Sequence, residues 1–93
     1  SHNYPLKMIG YMQLSKPILA SVNDNNEIIS IIQENNIGFV SIAKDKDSFN
    51  NNLSTLLSNE SIRKVQGRNA LKLFNEKFTV MVATKQITNF FND

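Results

Sequence analysis

The stretch PLKMIGYMQLSKPILASV, residues 5 to 22, decides the fold of this 93-residue chain. Its first part carries apolar and aromatic residues at helical spacing, namely Met8, Tyr11, Met12 and Leu14. Pro17 then opens the apolar run 18–20, and a proline biases the residue before it towards extended backbone. The pattern predicts a short helix that leads directly into a buried strand, with Tyr11 and Met12 in the core.

The start of this predicted helix is a candidate site for an anion. Pro5 suits the first turn of a helix, where its missing N–H would have no helical partner. The amides of Leu6 and Lys7 then remain free at the positive end of the helix dipole. The alternative is an ordinary helix that packs on the strand and binds nothing at its start, with Lys7 solvated.

A second helix and a second strand follow. Asp24 and Glu27 form a start that resembles a capping box, and the helix after it carries four isoleucines, Ile28, Ile29, Ile31 and Ile32. The pair 35–36 is expected to stop this helix, and Gly38 precedes the short run of β-formers 39–42. A strand, a helix and a strand with such short links indicate a right-handed parallel crossover.

The next helix is predicted from a narrow apolar stripe. Asp45 and Asp47 lie where either carboxylate could cap its start. Its inward residues recur at i, i+4, i+7 and i+8, and they are Phe49, Leu53, Leu56 and Leu57. The three asparagines 50–52 between the first two stripe positions are expected to form its solvated face.

A longer helix is predicted from 58–59 to Phe74. Its inward residues are expected to be Ile62, Val65, Ala70, Leu73 and Phe74. Gly67 would be its weak point, less favourable than alanine by about 1 kcal/mol. We expect 78–79 to end this helix and to cap a last one, Val80 to Phe91.

Composition excludes several classes of protein. Hydrophobic residues make up 41% and charged residues 19%, and no apolar run approaches the ~20 residues of a membrane span, so a soluble globular chain is expected. The absence of cysteine removes disulfides and thiolate ligands and makes the cytoplasm the expected location. A net charge of +2 is too small for a dedicated nucleic-acid surface.

The residues 1–2 carry no pattern and are interpreted as an expression-tag remnant, so the natural segment is expected to begin at Asn3 inside a longer protein. His2, the only histidine, is then a poor catalytic candidate. Residues 1–93 contain no predicted linker and no repeat, and they are treated as a single partial domain.

The order of residues in the first stretch resembles a known family. Pro5, Lys7, the pair 11–12, the pair 16–17 and the apolar strand 18–21 follow one another as in the nucleotide-sugar half of GT-B glycosyltransferases of glycosyltransferase family four. The resemblance continues through an acidic helix start at 24–27, a strand at 37–40, a basic helix that ends at 75–78 and a closing helix. It covers nearly the whole chain.

This resemblance implies a binding site. In the family, amides at the start of the equivalent helix hold the diphosphate of the donor, and a glutamate one turn further holds the ribose. Carried over by position, the amides are those of Leu6 and Lys7, and Gly10 occupies the glutamate position. That departure removes the acceptor for the ribose hydroxyls. Ser15 is a second departure, because the family usually has glycine before Lys-Pro. The second family carboxylate would fall at His2.

Other candidate sites are weaker. Lys64, Arg68 and Lys72 form a basic stripe that could contact anionic lipid or nucleic acid, but Glu60 and Glu76 flank it as ion-pair partners. No aromatic residues interleave with the stripe, so nucleic acid is not an expected partner. The chain has no Cys/His cluster, no P-loop and no Ser/His/Asp set, so it offers no residues for a metal or a nucleophile.

Two strands against about five helices is an unusual ratio, because a two-stranded parallel sheet seldom stands alone. We therefore expect an α/β fold that forms the C-terminal half of a Rossmann-like GT-B domain, with a short parallel sheet. The resemblance implies a retaining enzyme that transfers a sugar from a nucleotide-diphosphate sugar to a glycan or lipid-linked acceptor, with no metal or other cofactor. The acceptor would bind a preceding domain, so this segment alone is expected to be inactive.

Two further contacts stay open at this point: a homodimer through the exposed sheet edge, and peripheral association of the full enzyme with the inner face of the membrane. The alternative to a transferase is a standalone small α/β module that binds other proteins and catalyses nothing. An upstream stretch with a second Rossmann pattern would favour the transferase, whereas a natural start near Asn3 would favour the module.

Overall fold

The computed structural model describes the backbone of residues 6–83 and the side-chain surroundings of residues 7–78. These residues form an α/β fold with four helices and a two-stranded parallel sheet. The elements in chain order are α1 Leu6–Gln13, β1 Ile18–Val22, α2 Ile28–Asn35, β2 Gly38–Ile42, α3 Lys46–Ser58 and α4 Glu60–Ala83. None of the helices within these residues has the length and apolar character needed to cross a lipid bilayer.

The two strands pair in parallel from the Ile18 and Gly38 pair to the Val22 and Ile42 pair. The Ile18 amide donates to Ile37 O over 2.9 Å at one end, and the Ala43 amide donates to Val22 O over 2.8 Å at the other. The predicted parallel crossover is therefore confirmed. The helix that links the strands, α2, packs on both of them.

The start of α2 differs from the prediction. Glu27 occupies the N-cap position, but its side chain makes no capping hydrogen bond. The Oδ1 atom of Asn26 instead accepts from the Ile28 amide over 2.9 Å. The short asparagine side chain lies two residues before that amide and closes a local turn, a geometry that asparagine favours. The predicted end at 35–36 is confirmed, because Asn36 adopts a left-handed conformation with φ of 50°.

The start of α3 matches the prediction, whereas its buried face differs from the prediction at Leu57. Asp45 Oδ1 accepts from the Ser48 amide over 3.0 Å and caps the helix, while Asp47 lies in its first turn. Leu56 is buried, but Leu57 is 72% exposed. Successive helical residues are about 100° apart, so a helix that contacts the sheet and α4 with a narrow face buries only one of two adjacent leucines.

The long helix α4 is continuous where the sequence predicts a break. It runs from Glu60 to Ala83 through the pair 78–79, and the predicted last helix is joined to it as far as Ala83. Residues 84–91 of that prediction lie outside the described residues. The ring of Phe78 is buried and stacks on Phe74 with centroids 5.7 Å apart. This pair at i and i+4 continues the buried face of α4, so the helix does not end there.

The inward face of α4 is also shifted relative to the prediction. Val65 is 44% exposed, whereas Gln66 is buried and donates through Nε2 to Gly38 O over 3.3 Å. Gly67 is buried as well. The predicted inward position of Val65 is therefore wrong, and the polar residue and the glycine that follow it are buried instead.

The core joins α1 and α4 to the sheet. Its buried residues are Met8, Ile9, Met12, Ile18, Ile28, Ile32, Ile37, Ala70, Leu73, Phe74 and Phe78. Met12 is in the core as predicted, but Tyr11 is 48% exposed. The inward face of α1 consists of Met8, Ile9 and Met12 at i, i+1 and i+4, which turns Tyr11 towards solvent.

Candidate functional site: the start of α1

The start of α1 combines backbone donors with a lack of competing carboxylates. Leu6 is the first residue of the helix, so the amides of Leu6 and Lys7 belong to the group of first-turn N–H groups that have no partner within a helix. No acidic residue lies in this first turn. The Lys7 side chain is exposed and adds a positive charge beside them. An incoming anion therefore meets no negative side chain within that turn.

The helix that carries these amides is packed into the core through its inner face. Met8, Ile9 and Met12 are at most 5% exposed, and α1 packs mainly against α4. The burial begins one residue after Lys7, so the donors lie at the edge of a packed element rather than on a loop. A group fixed in this way loses little conformational freedom when a ligand binds.

Chain connectivity places the end of α1 near the start of β1, because only residues 14 to 17 separate them. The helix α1 also contacts β1 directly, in addition to its main contact with α4.

Gly10 is half-buried on α1 and has no side chain to offer a ligand. The structure thus brings together the three residues of the predicted site on one short helix: Leu6 and Lys7 at its first turn, and Gly10 one turn further. Pro5 lies outside the described residues, as does His2.

Ser15 has a left-handed backbone conformation. Its φ is 59°, in the left-handed region that glycine adopts readily and serine adopts at a cost. Its hydroxyl donates to Gly67 O over 2.9 Å and so ties the loop after α1 to α4. A serine therefore adopts a turn that favours glycine, and its side chain adds a hydrogen bond that a glycine could not make.

A second concave surface lies at the opposite end of α1, and sequence reasoning missed it. A pocket of about 380 Å³ is lined by Ser15, Lys16, Pro17, Glu60, Arg63, Lys64 and Arg68. Only Lys64 and Arg68 belong to the predicted basic stripe, and Lys72 lies in another depression with Glu34 and Glu76. The expected ion pair is confirmed for Lys64, whose Nζ lies 3.8 Å from Glu60 Oε2. Lys16 could not be linked to α4 from sequence, because about fifty residues separate them.

The described residues hold no group of three or more potential metal ligands. No family model, curated protein or solved structure matches the chain. The family therefore stays a prediction from the resemblance, and the geometry of α1 is the basis for a function.

Proposed function

We propose that this chain is the C-terminal part of the nucleotide-sugar-binding domain of a retaining, GT-B, family-four-like glycosyltransferase. In this proposal the start of α1 binds the diphosphate of the donor. The full enzyme transfers the sugar to a glycan or lipid-linked acceptor held by a preceding domain, and it acts in the cytoplasm during polysaccharide assembly. The segment itself supplies donor contacts and no catalytic side chain.

The observation that carries the proposal is the start of α1: first-turn amides beside Lys7, no acidic residue in that turn, and a buried face that fixes the helix. Sugar transfer from a nucleotide-diphosphate sugar leaves negative charge on the departing diphosphate. Helix-start amides stabilise such charge without reorganising, because their dipoles already point at the place where it develops.

Two further features support the proposal. The order α1, β1, α2, β2 with parallel strands agrees with the last part of a Rossmann-like sheet. Ser15, which precedes Lys16 and Pro17, has a left-handed backbone that glycine adopts readily. The glycine that the resemblance expects at this position would therefore fit this turn.

Gly10 offers the experiment that tests the assignment of this helix. If Gly10 lies where the family places a ribose-binding glutamate, Gly10→Glu should supply the missing acceptor for the ribose hydroxyls. A hydrogen bond to a charged group contributes about 1.5–3 kcal/mol, so affinity for UDP or GDP should rise by roughly tenfold or more. The matched control is Gly10→Ala, which changes the helix propensity without adding a carboxylate.

The measurement is isothermal titration calorimetry of the three proteins with UDP, GDP and inorganic pyrophosphate. The account predicts tighter nucleotide binding by Gly10→Glu alone, and no gain for pyrophosphate, which lacks a ribose. An equal gain for Gly10→Ala would assign the effect to helix stability. A loss of nucleotide affinity in Gly10→Glu would contradict the position of the ribose.

A second candidate function, a standalone interaction module, is favoured by one observation: among the described residues β1 pairs only with β2. Its other edge could then receive a strand from another protein. The coding sequence upstream of Asn3 separates the two functions. A preceding Rossmann-like pattern supports the transferase, and a start codon next to Asn3 supports the module.

A further inference from the structure

The pocket between the start of β2 and the first two turns of α4 is mostly apolar. It has a volume of about 350 Å³, and its described lining consists of Asn36, Phe39, Ser61, Ile62, Val65 and Gln66. None of these six side chains is charged. The basic pocket at the end of α1, in contrast, is lined by five charged side chains. The lining at β2 therefore suits an uncharged ligand with an apolar body.

Gln66 is the residue of this pocket that points to a ligand. It is 3% exposed, and its Oε1 atom is buried with no hydrogen-bond partner among the described residues. Its Nε2 atom donates to Gly38 O over 3.3 Å, which fixes the orientation of the amide and identifies Oε1 as the acceptor. A buried acceptor without a donor costs free energy, and native structures pair nearly all such groups. The pocket thus combines apolar walls with one acceptor that lacks a donor.

Contacts between β2 and α4 fix the walls of the pocket. Asn69 Nδ2 on α4 donates to Asn36 O over 3.0 Å, which holds the residues before β2 against the helix. Gly38 lies so close to β1 that a Cβ there would overlap Ile18 O, so the carbonyl that binds Gln66 belongs to a tightly packed backbone. The pocket therefore exists before a ligand binds, and little conformational freedom is lost on binding.

We propose that this pocket binds a small neutral aromatic molecule whose ring carries one N–H or O–H donor, such as an indole or a phenol. The donor pairs with Gln66 Oε1. The uncharged lining disfavours an ion, which would lose its hydration without gaining a charged partner. The ring of Phe39 favours an aromatic body, because pairs of rings attract each other beyond the area that they bury. The volume is typical of pockets for small molecules.

The surroundings of the pocket favour a free molecule over a side chain of another protein. A stable protein partner covers about 800 Å² on each side of an interface. Four large hydrophobic residues of the described chain are exposed, and of these only Val65 lines this pocket. The lining residues Asn36 and Ser61 are exposed and polar. An apolar surface wide enough for a protein therefore does not surround the pocket within the described residues.

The experiment is an amide-resolved NMR titration of the 93-residue chain with indole and with 1-methylindole, without nucleotide. The two ligands share a ring system, and methylation replaces the N–H donor with an apolar group. Indole should bind about fivefold more tightly, the equivalent of one net hydrogen bond. It should shift the side-chain amide signals of Gln66 and the backbone amides of Phe39 and Ile62. Hydrophobicity alone predicts the opposite order of affinity, because the methyl group adds apolar surface.

Two variants assign the site. Gln66→Met removes the acceptor at similar side-chain length, so 1-methylindole should then bind at least as tightly as indole. Val65→Asp should weaken indole binding at least about threefold, because the ligand buries the exposed half of that side chain. Its matched control is Leu57→Asp, at an exposed apolar position outside the pocket, and it should leave the affinity unchanged. Both aspartate substitutions are at exposed positions, and the comparison of the two ligands on the wild-type chain needs no variant.

Several outcomes would overturn the proposal. Equal or tighter binding of 1-methylindole by the wild-type chain would show that no acceptor takes part. The absence of shifts up to the solubility limit of indole, or shifts spread over Tyr11, Leu14 and Leu57, would show that there is no specific site. Equal affinity for phenol and cyclohexanol would contradict the aromatic class. Tighter binding of N-acetyltryptophanamide than of indole would identify a protein side chain as the ligand.

The pocket is separate from the proposed donor site, because its lining residues lie on β2, on α4 and before β2, and none of them lies on α1. The titration with indole contains no phosphate and therefore addresses this pocket alone. Failure of either proposal leaves the other intact.

Discussion

Replacing Gly67 by alanine tests the packing of α1 on α4. Sequence reasoning treats this glycine as a weak point that alanine would improve by about 1 kcal/mol. In the structure an alanine Cβ would overlap the carbonyl oxygen of Ser15 and lie 3.0 Å from its carbonyl carbon. Both atoms belong to the backbone, so relief requires the loop and the helix to separate.

The expected change in the free energy of unfolding of Gly67→Ala is the sum of three contributions. Alanine gains about 1 kcal/mol from helix propensity. Overpacking a tight contact costs about 1–3 kcal/mol. Separation also stretches the hydrogen bond from Ser15 Oγ to Gly67 O, 2.9 Å long, which is worth about 1 kcal/mol. The net effect is a loss of about 2 kcal/mol, which lowers Tm by roughly 10 °C in a domain of this size.

The assay is thermal unfolding of wild type, Gly67→Ala and Ser15→Ala, followed by circular dichroism. Ser15→Ala removes the hydrogen bond without adding an atom at Gly67, so it isolates that contribution and should lower the free energy of unfolding by about 1 kcal/mol. A higher Tm for Gly67→Ala would refute the close approach of α1 and α4.

Three other predictions concern the core, the activity and the sheet edge. The Ser41 hydroxyl is buried and has no hydrogen-bond partner among the described residues, so Ser41→Ala should raise the free energy of unfolding by about 1 kcal/mol in urea titrations. A lower free energy of unfolding would mean that the hydroxyl has a partner. The isolated chain should not turn over any nucleotide sugar. Activity above that of a mock preparation would contradict the interpretation that the chain is only half of a donor-binding domain. The open edge of β1 predicts dimers by light scattering at high concentration, because the alternation of the ladder directs the Leu19 amide to that edge. A persistent monomer in which this amide exchanges slowly would mean that the edge is covered within the chain, and fast exchange there in a monomer would contradict a buried strand.

Local signals in the sequence predicted most of the elements. Pro17 before an apolar run marks β1, and Asp45 marks the start of α3 through a hydrogen bond of three-residue range. Such signals depend only on neighbouring residues and their backbone preferences. The parallel pairing followed from short links, which leave few topologies.

Predictions that needed the tertiary arrangement were less successful. Hydrophobicity alone placed Val65 inward, whereas the α4 face that meets β2 carries Gln66. The side chain of Gln66 reaches the Gly38 carbonyl, and no neighbouring residue in sequence indicates that acceptor. A buried polar residue can be inferred from sequence only when its partner is known.

Of the two candidate sites, one could be predicted from local sequence and the other depends on the tertiary arrangement. The start of α1 could be predicted, because the amides of Leu6 and Lys7 come with any helix that begins there. The basic pocket could not, since Lys16 meets Arg68 only after the chain has folded back along α4. The same contact reverses the expected role of Gly67.

The central claim is that the start of α1 binds a diphosphate, and amide-resolved NMR tests it most directly. Titration of the chain with UDP and with GDP should shift the amides of Leu6, Lys7 and Met8, and uridine without phosphates should leave them in place. Shifts confined to Lys64, Arg68 and Lys72, or the same shifts with uridine as with UDP, would contradict a diphosphate site at this helix.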